Sequence, residues 1–174
     1  MSRRERTSAG PGKIESRLVL QLRIYMPKPI YVLNGPNLNM LGKREPAIYG
    51  AATLEDVRRM VEEHATARGF PVEFRQTNHE GELVGWVQEA RDAASGIIIN
   101  AGAYTHTSIA LLDALRAAER PVIEVHLSNI FARESFRHQS FVAPAALGVI
   151  CGFGPRGYMM AIDAMAGHIE GTAA

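Results

Sequence analysis

Five short strand-like runs punctuate the chain, at Ile30–Leu33, Val72–Arg75, Ile97–Ile99, Pro121–Val125 and Gly148–Cys151. Segments of helical periodicity follow most of them, at Thr53–Arg68, Glu80–Ala94, Thr107–Ala118 and Gly157–Ile169. In the first, Leu54, Val57, Met60, Val61 and Ala65 recur at helical spacing, with Thr53 placed to cap the start and Gly69 to end it. Ile97–Ile99 is apolar throughout, and Pro121 opens its run, where a missing donor is tolerated. Apolar strands alternating with amphipathic helices require a parallel sheet covered on both faces. The expected fold class is therefore α/β, in one domain without internal repeats.

Composition narrows the function. The 174 residues are 47% hydrophobic and 21% charged, which excludes wholesale disorder. A net charge of +1 does not fit a strongly basic nucleic-acid binder, so no nucleic-acid partner is expected. Residues 1–28 carry +5 and the remaining 146 carry −4, so the folded part is mildly acidic. Cys151 is the single cysteine, which excludes an internal disulfide and a cysteine zinc knuckle. No apolar run approaches the roughly 18 residues of a membrane-spanning helix, and no membrane partner is expected. A reducing cytoplasm is the expected compartment.

Residues 1–29 begin polar and basic, with a breaker run at 8–12. Arg17, Gln21 and Arg23 interrupt the apolar stretch and no small-residue cleavage site follows, so a signal peptide is not expected. Leu18, Leu20, Leu22 and Ile24 alternate as in a strand. The segment is expected to be a disordered or peripheral extension, with a targeting arm as the alternative. A single domain is expected over 30–170 and a short tail over 171–174.

In open α/β sheets, ligands bind beyond the carboxyl ends of the strands. Here those ends are polar. They read Asn34-Gly35-Pro36-Asn37, Gln76-Thr77-Asn78-His79, Asn100-Ala101-Gly102 with Tyr104-Thr105-His106-Thr107, and Glu124-Val125-His126-Leu127-Ser128-Asn129. Three histidines and several asparagines should converge on one edge, although each alone could be a cap or a loop residue. The 17 residues from Asn34 to Gly50 make a long connection, either a lid or a surface loop. Glu124 and His126 share one face of a strand, which suits an imidazole general acid oriented by a carboxylate; an ordinary surface pair is the alternative. His106 falls where a helix should begin, whose positive end disfavours imidazolium. A neutral histidine there can bind substrate oxygens, or the segment can simply cap the helix.

Two patterns mislead. Gly152-Phe153-Gly154-Pro155-Arg156-Gly157 fits G-x-G-x-x-G, but only 17 residues follow Gly157. They leave no room for a second strand with a ribose-binding acid, so a packing turn is expected. Six histidines make no H-x-x-x-H or H-E-x-x-H pattern, and no metal is expected.

Asn34-Gly35-Pro36-Asn37-Leu38, Arg44-Glu45-Pro46-Ala47-Ile48-Tyr49-Gly50, Asn100–Ser108 and Glu124–Asn129, continued by Arg133-Glu134 and Phe136-Arg137-His138, closely resemble type II 3-dehydroquinate dehydratase. The likeness spans about residues 30–169. It implies a flavodoxin-like three-layer sandwich with a five-stranded parallel sheet in order 2-1-3-4-5, holding a single catalytic domain. It also implies elimination of water from 3-dehydroquinate to give 3-dehydroshikimate without metal or organic cofactor, in a homododecamer built from trimers. Motif position implies Tyr49 as base, Arg44 as its activator, and His126 as acid paired with Glu124. Asn37 would stabilise the enolate through a water. Asn100, His106, Arg137 and the Leu127-Ser128 backbone would bind substrate, and Asp113 would reach a neighbouring subunit's site.

The chemistry agrees. Loss of a β-hydroxyl from a ketone needs a base, an enolate stabiliser and an acid. Tyrosine titrates near pH ~10, and an adjacent arginine lowers that value. A lysine Schiff-base route is poorly served, since only Lys43 of Lys13, Lys28 and Lys43 lies in the globular part. The competing reading is a flavodoxin-like binding module, for flavin mononucleotide or as a phospho-receiver, or an inactive scaffold relative. A receiver wants acids where this chain has Asn34 and Asn37, and a flavin site wants a hydroxyl-rich phosphate loop there.

Overall fold

The computed structural model describes residues 27–43 and 52–172. The alternating segment Leu18–Ile24 and residues 44–50 of the long loop, with Arg44 and Tyr49, lie outside the described residues. The elements in chain order are β1 (Ile30–Asn34), α1 (Leu54–Ala67), β2 (Val72–Gln76), α2 (Glu80–Ala93), β3 (Gly96–Asn100), α3 (Ile109–Ala118), β4 (Val122–His126), β5 (Gly148–Cys151) and α4 (Arg156–Thr172). All five strands are parallel, in the order β2-β1-β3-β4-β5. The expected doubly covered parallel sheet is therefore present.

Local chemistry sets the helix ends. The Thr53 hydroxyl accepts from the Asp56 N–H at 3.1 Å, while Asp56 accepts from the Thr53 N–H at 2.9 Å, closing a capping box. Gly69 turns the chain out of α1 with φ of +81°. Two boundaries differ from the sequence expectation by more than one residue. The helix α3 begins at Ile109, not Thr107, because the Ser108 hydroxyl caps it by accepting from Leu111 N–H at 2.9 Å. Residues Gly102–His106 form a 3-10 turn instead. The helix α4 runs past Ile169 to Thr172, and its Glu170 meets Arg68, just after α1, at 3.5 Å.

The period of two along the strands sorts the core into two layers. Ile30, Val32 and Ile98 pack with Val57 and Val61 of α1 and Ile162 and Met165 of α4. Tyr31, Leu33, Ile97 and Ile99 pack with Leu83 and Val87 of α2 and Leu111 and Leu115 of α3. The winding reverses between β1 and β3, which opens a crevice at their carboxyl ends. There the backbones touch. A Cβ on Gly35 would lie 2.4 Å from the Ala101 carbonyl oxygen, so only glycine fits.

Candidate active site

A pocket of about 150 Å³ opens at that crevice. Asn37 reaches it from the turn after β1, Asn100 from β3, and His126, Leu127 and Ser128 from the end of β4. His106 comes from the 3-10 turn after β3, and Arg137 from a short 3-10 turn, Ser135–Arg137. The fold thus brings together seven of the residues singled out in the sequence. Both sheet faces contribute. Asn34 and Asn100 continue the Val32 and Ile98 face toward α4, whereas Glu124 and His126 continue the Val122 face toward α3.

Glu124 lies directly behind His126. Its side chain is fully buried and accepts a hydrogen bond from His126 Nε2 at 2.7 Å. The carboxylate also accepts from the Thr105 hydroxyl and, at 2.9 Å, from the Ser140 hydroxyl. Burial alone would push this carboxyl up. The hydrogen bonds from His126, Thr105 and Ser140 outweigh it and hold the carboxyl below its usual range. A carboxylate only accepts, so Nε2 carries the proton and Nδ1 is the nitrogen left for a ligand. The surface-pair alternative is excluded by this burial.

His106 lies parallel to His126, with ring centroids 6.4 Å apart and an 11° interplanar angle. Its Nδ1 donates to the Gln139 carbonyl at 2.7 Å, leaving Nε2 for the pocket. The expected position in a helix's first turn is corrected: His106 closes the 3-10 turn, because Thr105 before it must reach Glu124. Asn37 adopts a left-handed φ of 67°, and its N–H donates to Asn78 Oδ1 at 2.9 Å. The Arg137 Nε donates to Glu134 at 2.8 Å, and its guanidinium lies 5.1 Å from the Phe136 ring centroid.

Asp113, expected at a neighbouring subunit's site, and His79 both lie off this pocket. Asp113 is exposed on α3 and does not line it. His79 precedes α2, and the polar tail of β2 supports the β1 turn instead: Gln76 Nε2 donates to the Gly35 carbonyl at 3.2 Å. The G-x-G-x-x-G segment is a packing turn, with Gly152 and Gly154 at φ of +91° and +58° and their N–H groups on the His126 and Leu127 carbonyls. Among the described residues, no group of three or more His, Cys, Asp or Glu could hold a metal ion, and no helix is long and apolar enough to cross a membrane.

Sequence reasoning missed four side chains around the site. Thr105 sat inside a quoted motif, but nothing there marked its hydroxyl as a carboxylate partner. Ser140 lies 16 residues beyond Glu124 in an aperiodic stretch and reaches it only through the fold. Nothing local marks Tyr158 within the last helix, and Asn34 is one of several polar residues at the strand ends. In the structure both are fully buried and hydrogen-bonded to one another. Arg133 also lines the pocket. Among the described lining residues two are arginines and none is acidic.

The model of the family described as Dehydroquinase class II matches residues 28–166. A protein of Agrobacterium fabrum named 3-dehydroquinate dehydratase 1 is 62% identical over 136 residues, covering 78% of this chain and 94% of the relative. One of Pseudomonas aeruginosa, named 3-dehydroquinate dehydratase 2, is 55% identical over 148 residues, covering 85% and 100%. The crystal structure of type II dehydroquinase from Propionibacterium acnes superimposes with a TM-score of 0.78 at 46% identity, covering 82% of this chain and 98% of that one. With the family match extending over most of its length, the chain belongs to the class II dehydroquinases.

Proposed function

We propose that this chain eliminates water from 3-dehydroquinate to give 3-dehydroshikimate through an enolate. The observation that carries the reading is the pocket's composition: a histidine backed by a buried carboxylate, two arginines, and neutral amides. Two guanidinium groups favour an anion, and the amides and His106 suit hydroxyl and carbonyl oxygens.

Each step then has a group. Tyr49, activated by Arg44, removes the proton next to the ketone. Asn37 steadies the enolate oxygen through a water. His126 delivers a proton to the departing hydroxyl, and Glu124 stabilises the imidazolium before that transfer. Asn100, His106, Arg137 and the Leu127-Ser128 backbone hold the substrate. No step calls for a metal or organic cofactor.

The assembly is proposed to be a homododecamer, with Asp113 serving a neighbouring subunit. Its exposure on α3 supports that role. The cytoplasm is the proposed compartment. The test is an ultraviolet assay with 3-dehydroquinate, whose product is a conjugated enone. Turnover that survives chelator, and no covalent adduct after borohydride with substrate, are the expected results. No enone, or a chelator-sensitive rate, overturns the proposal.

A further inference from the structure

Behind the pocket a chain of hydrogen bonds crosses three adjacent strands. The Asn34 Nδ2 of β1 donates to the Arg75 carbonyl of β2 at 3.0 Å. Asn34 Oδ1 accepts from the Tyr158 hydroxyl of α4 at 2.6 Å. The Tyr158 oxygen accepts from Asn100 Nδ2 of β3 at 2.9 Å, and Asn100 Oδ1 accepts from the Gly102 N–H at 3.3 Å. Asn34 and Tyr158 are fully buried and do not line the pocket, whereas Asn100 does.

Both ends of this chain are backbone groups, so its polarity is set. A carbonyl can only accept, which puts the amide nitrogen of Asn34 toward Arg75 and its oxygen toward Tyr158. Tyr158 must then donate to Asn34 and accept from Asn100. Burial pushes the Tyr158 phenol above its ordinary range, more than its bond from Asn100 lowers it, so it keeps that proton. The Gly102 N–H can only donate, which agrees with an Asn100 oxygen on its side. Reversing the Asn100 amide would set a donor against a donor at Gly102.

We infer that Tyr158 is a positioning residue for substrate binding: it fixes the Asn100 amide so that one N–H and one carbonyl lone pair meet a substrate hydroxyl. A hydroxyl both donates and accepts, so this pair of valences matches it. The inference rests on the reading of Asn100 as a substrate contact. Tyr158 touches no substrate and acts through Asn100 alone.

The test is steady-state kinetics with 3-dehydroquinate on the wild type, Tyr158→Phe, Asn100→Ala and the double variant. Tyr158→Phe keeps the buried ring and removes only the hydroxyl. A neutral hydrogen bond corresponds to roughly 2- to 13-fold in binding. Asn100→Ala should raise KM by about tenfold and Tyr158→Phe by about threefold or more, with kcat within about twofold in the latter. The double variant should match Asn100→Ala, because the relay has nothing left to position. Asn34→Ala, which removes the acceptor of the Tyr158 proton, should raise KM likewise and supplies the test if Tyr158→Phe does not fold. A lower melting temperature with unchanged KM in Tyr158→Phe, or additive effects in the double variant, overturns the inference. Unchanged KM in Asn100→Ala overturns Asn100 as a substrate contact, and absence of wild-type turnover overturns the proposed function itself.

Discussion

His126 Nε2 donates to Glu124 Oε1 at 2.7 Å, and both side chains are almost wholly withdrawn from water. The imidazole is thereby oriented, and a positive charge on it is balanced by a carboxylate already held ionised. Glu124→Gln keeps the shape and removes the charge. Turnover should fall by about 10²-fold or more, the range of a lost general-acid contribution, with an unchanged circular dichroism spectrum.

The same carboxylate links stability to pH. Its folded pKa lies below the usual glutamate value of ~4.3. Its contribution to stability is therefore complete above that value and is lost as pH falls through the lower folded one. The stability difference between wild type and Glu124→Gln should change little between pH ~5 and ~7 and shift against the wild type below ~4. Urea unfolding across that range checks it, and a constant difference would contradict the assignment.

Tyr31 links stability to alkali. Burial, and then its hydrogen bond to Glu89 at 2.6 Å, push the phenol up to about 12. The raised value means that its contribution is present below the unfolded pKa of ~10 and fades as pH rises through about 12. Wild type should lose stability relative to Tyr31→Phe over that interval. Parallel unfolding curves of the two proteins from pH ~9 to ~12 would count against it.

Gly35→Ala should damage fold and site together. The new methyl would meet the Ala101 carbonyl at 2.4 Å, and backbone cannot rotate away as a side chain can. The ends of β1 and β3 would have to separate, at a cost of about 1–3 kcal/mol. Thermal melting and KM, measured on the same preparation, should both worsen.

Tyr49→Phe should abolish turnover while leaving fold and much of substrate binding intact. General-base contributions are ~10²–10⁴-fold, so the loss belongs in kcat. A variant that keeps more than about a tenth of wild-type turnover would remove Tyr49 as the base. Arg44→Ala should also cut turnover, since the phenol would lose the cation that favours its ionised form.

Periodicity and punctuation in the sequence determined the sheet, the helices and which edge carries chemistry. Thr53 before an amphipathic run can only open a helix, and Ile97–Ile99 can only lie between two covered faces, because propensity and burial act on neighbours in the chain. The polar strand ends, and the pairing of Glu124 with His126 two residues on, follow from the same local rule that alternate strand residues share a face. Contacts between distant residues were decided by tertiary structure. Ser140 meets Glu124, Gln139 meets His106, and Tyr158 joins Asn34 to Asn100 across 124 and 58 residues only once α4 and the segment after β4 pack over the carboxyl edge. Ser108 caps α3 locally, but the 3-10 turn before it carries Thr105 to the buried carboxylate, and that bond lies across the fold, not along the chain.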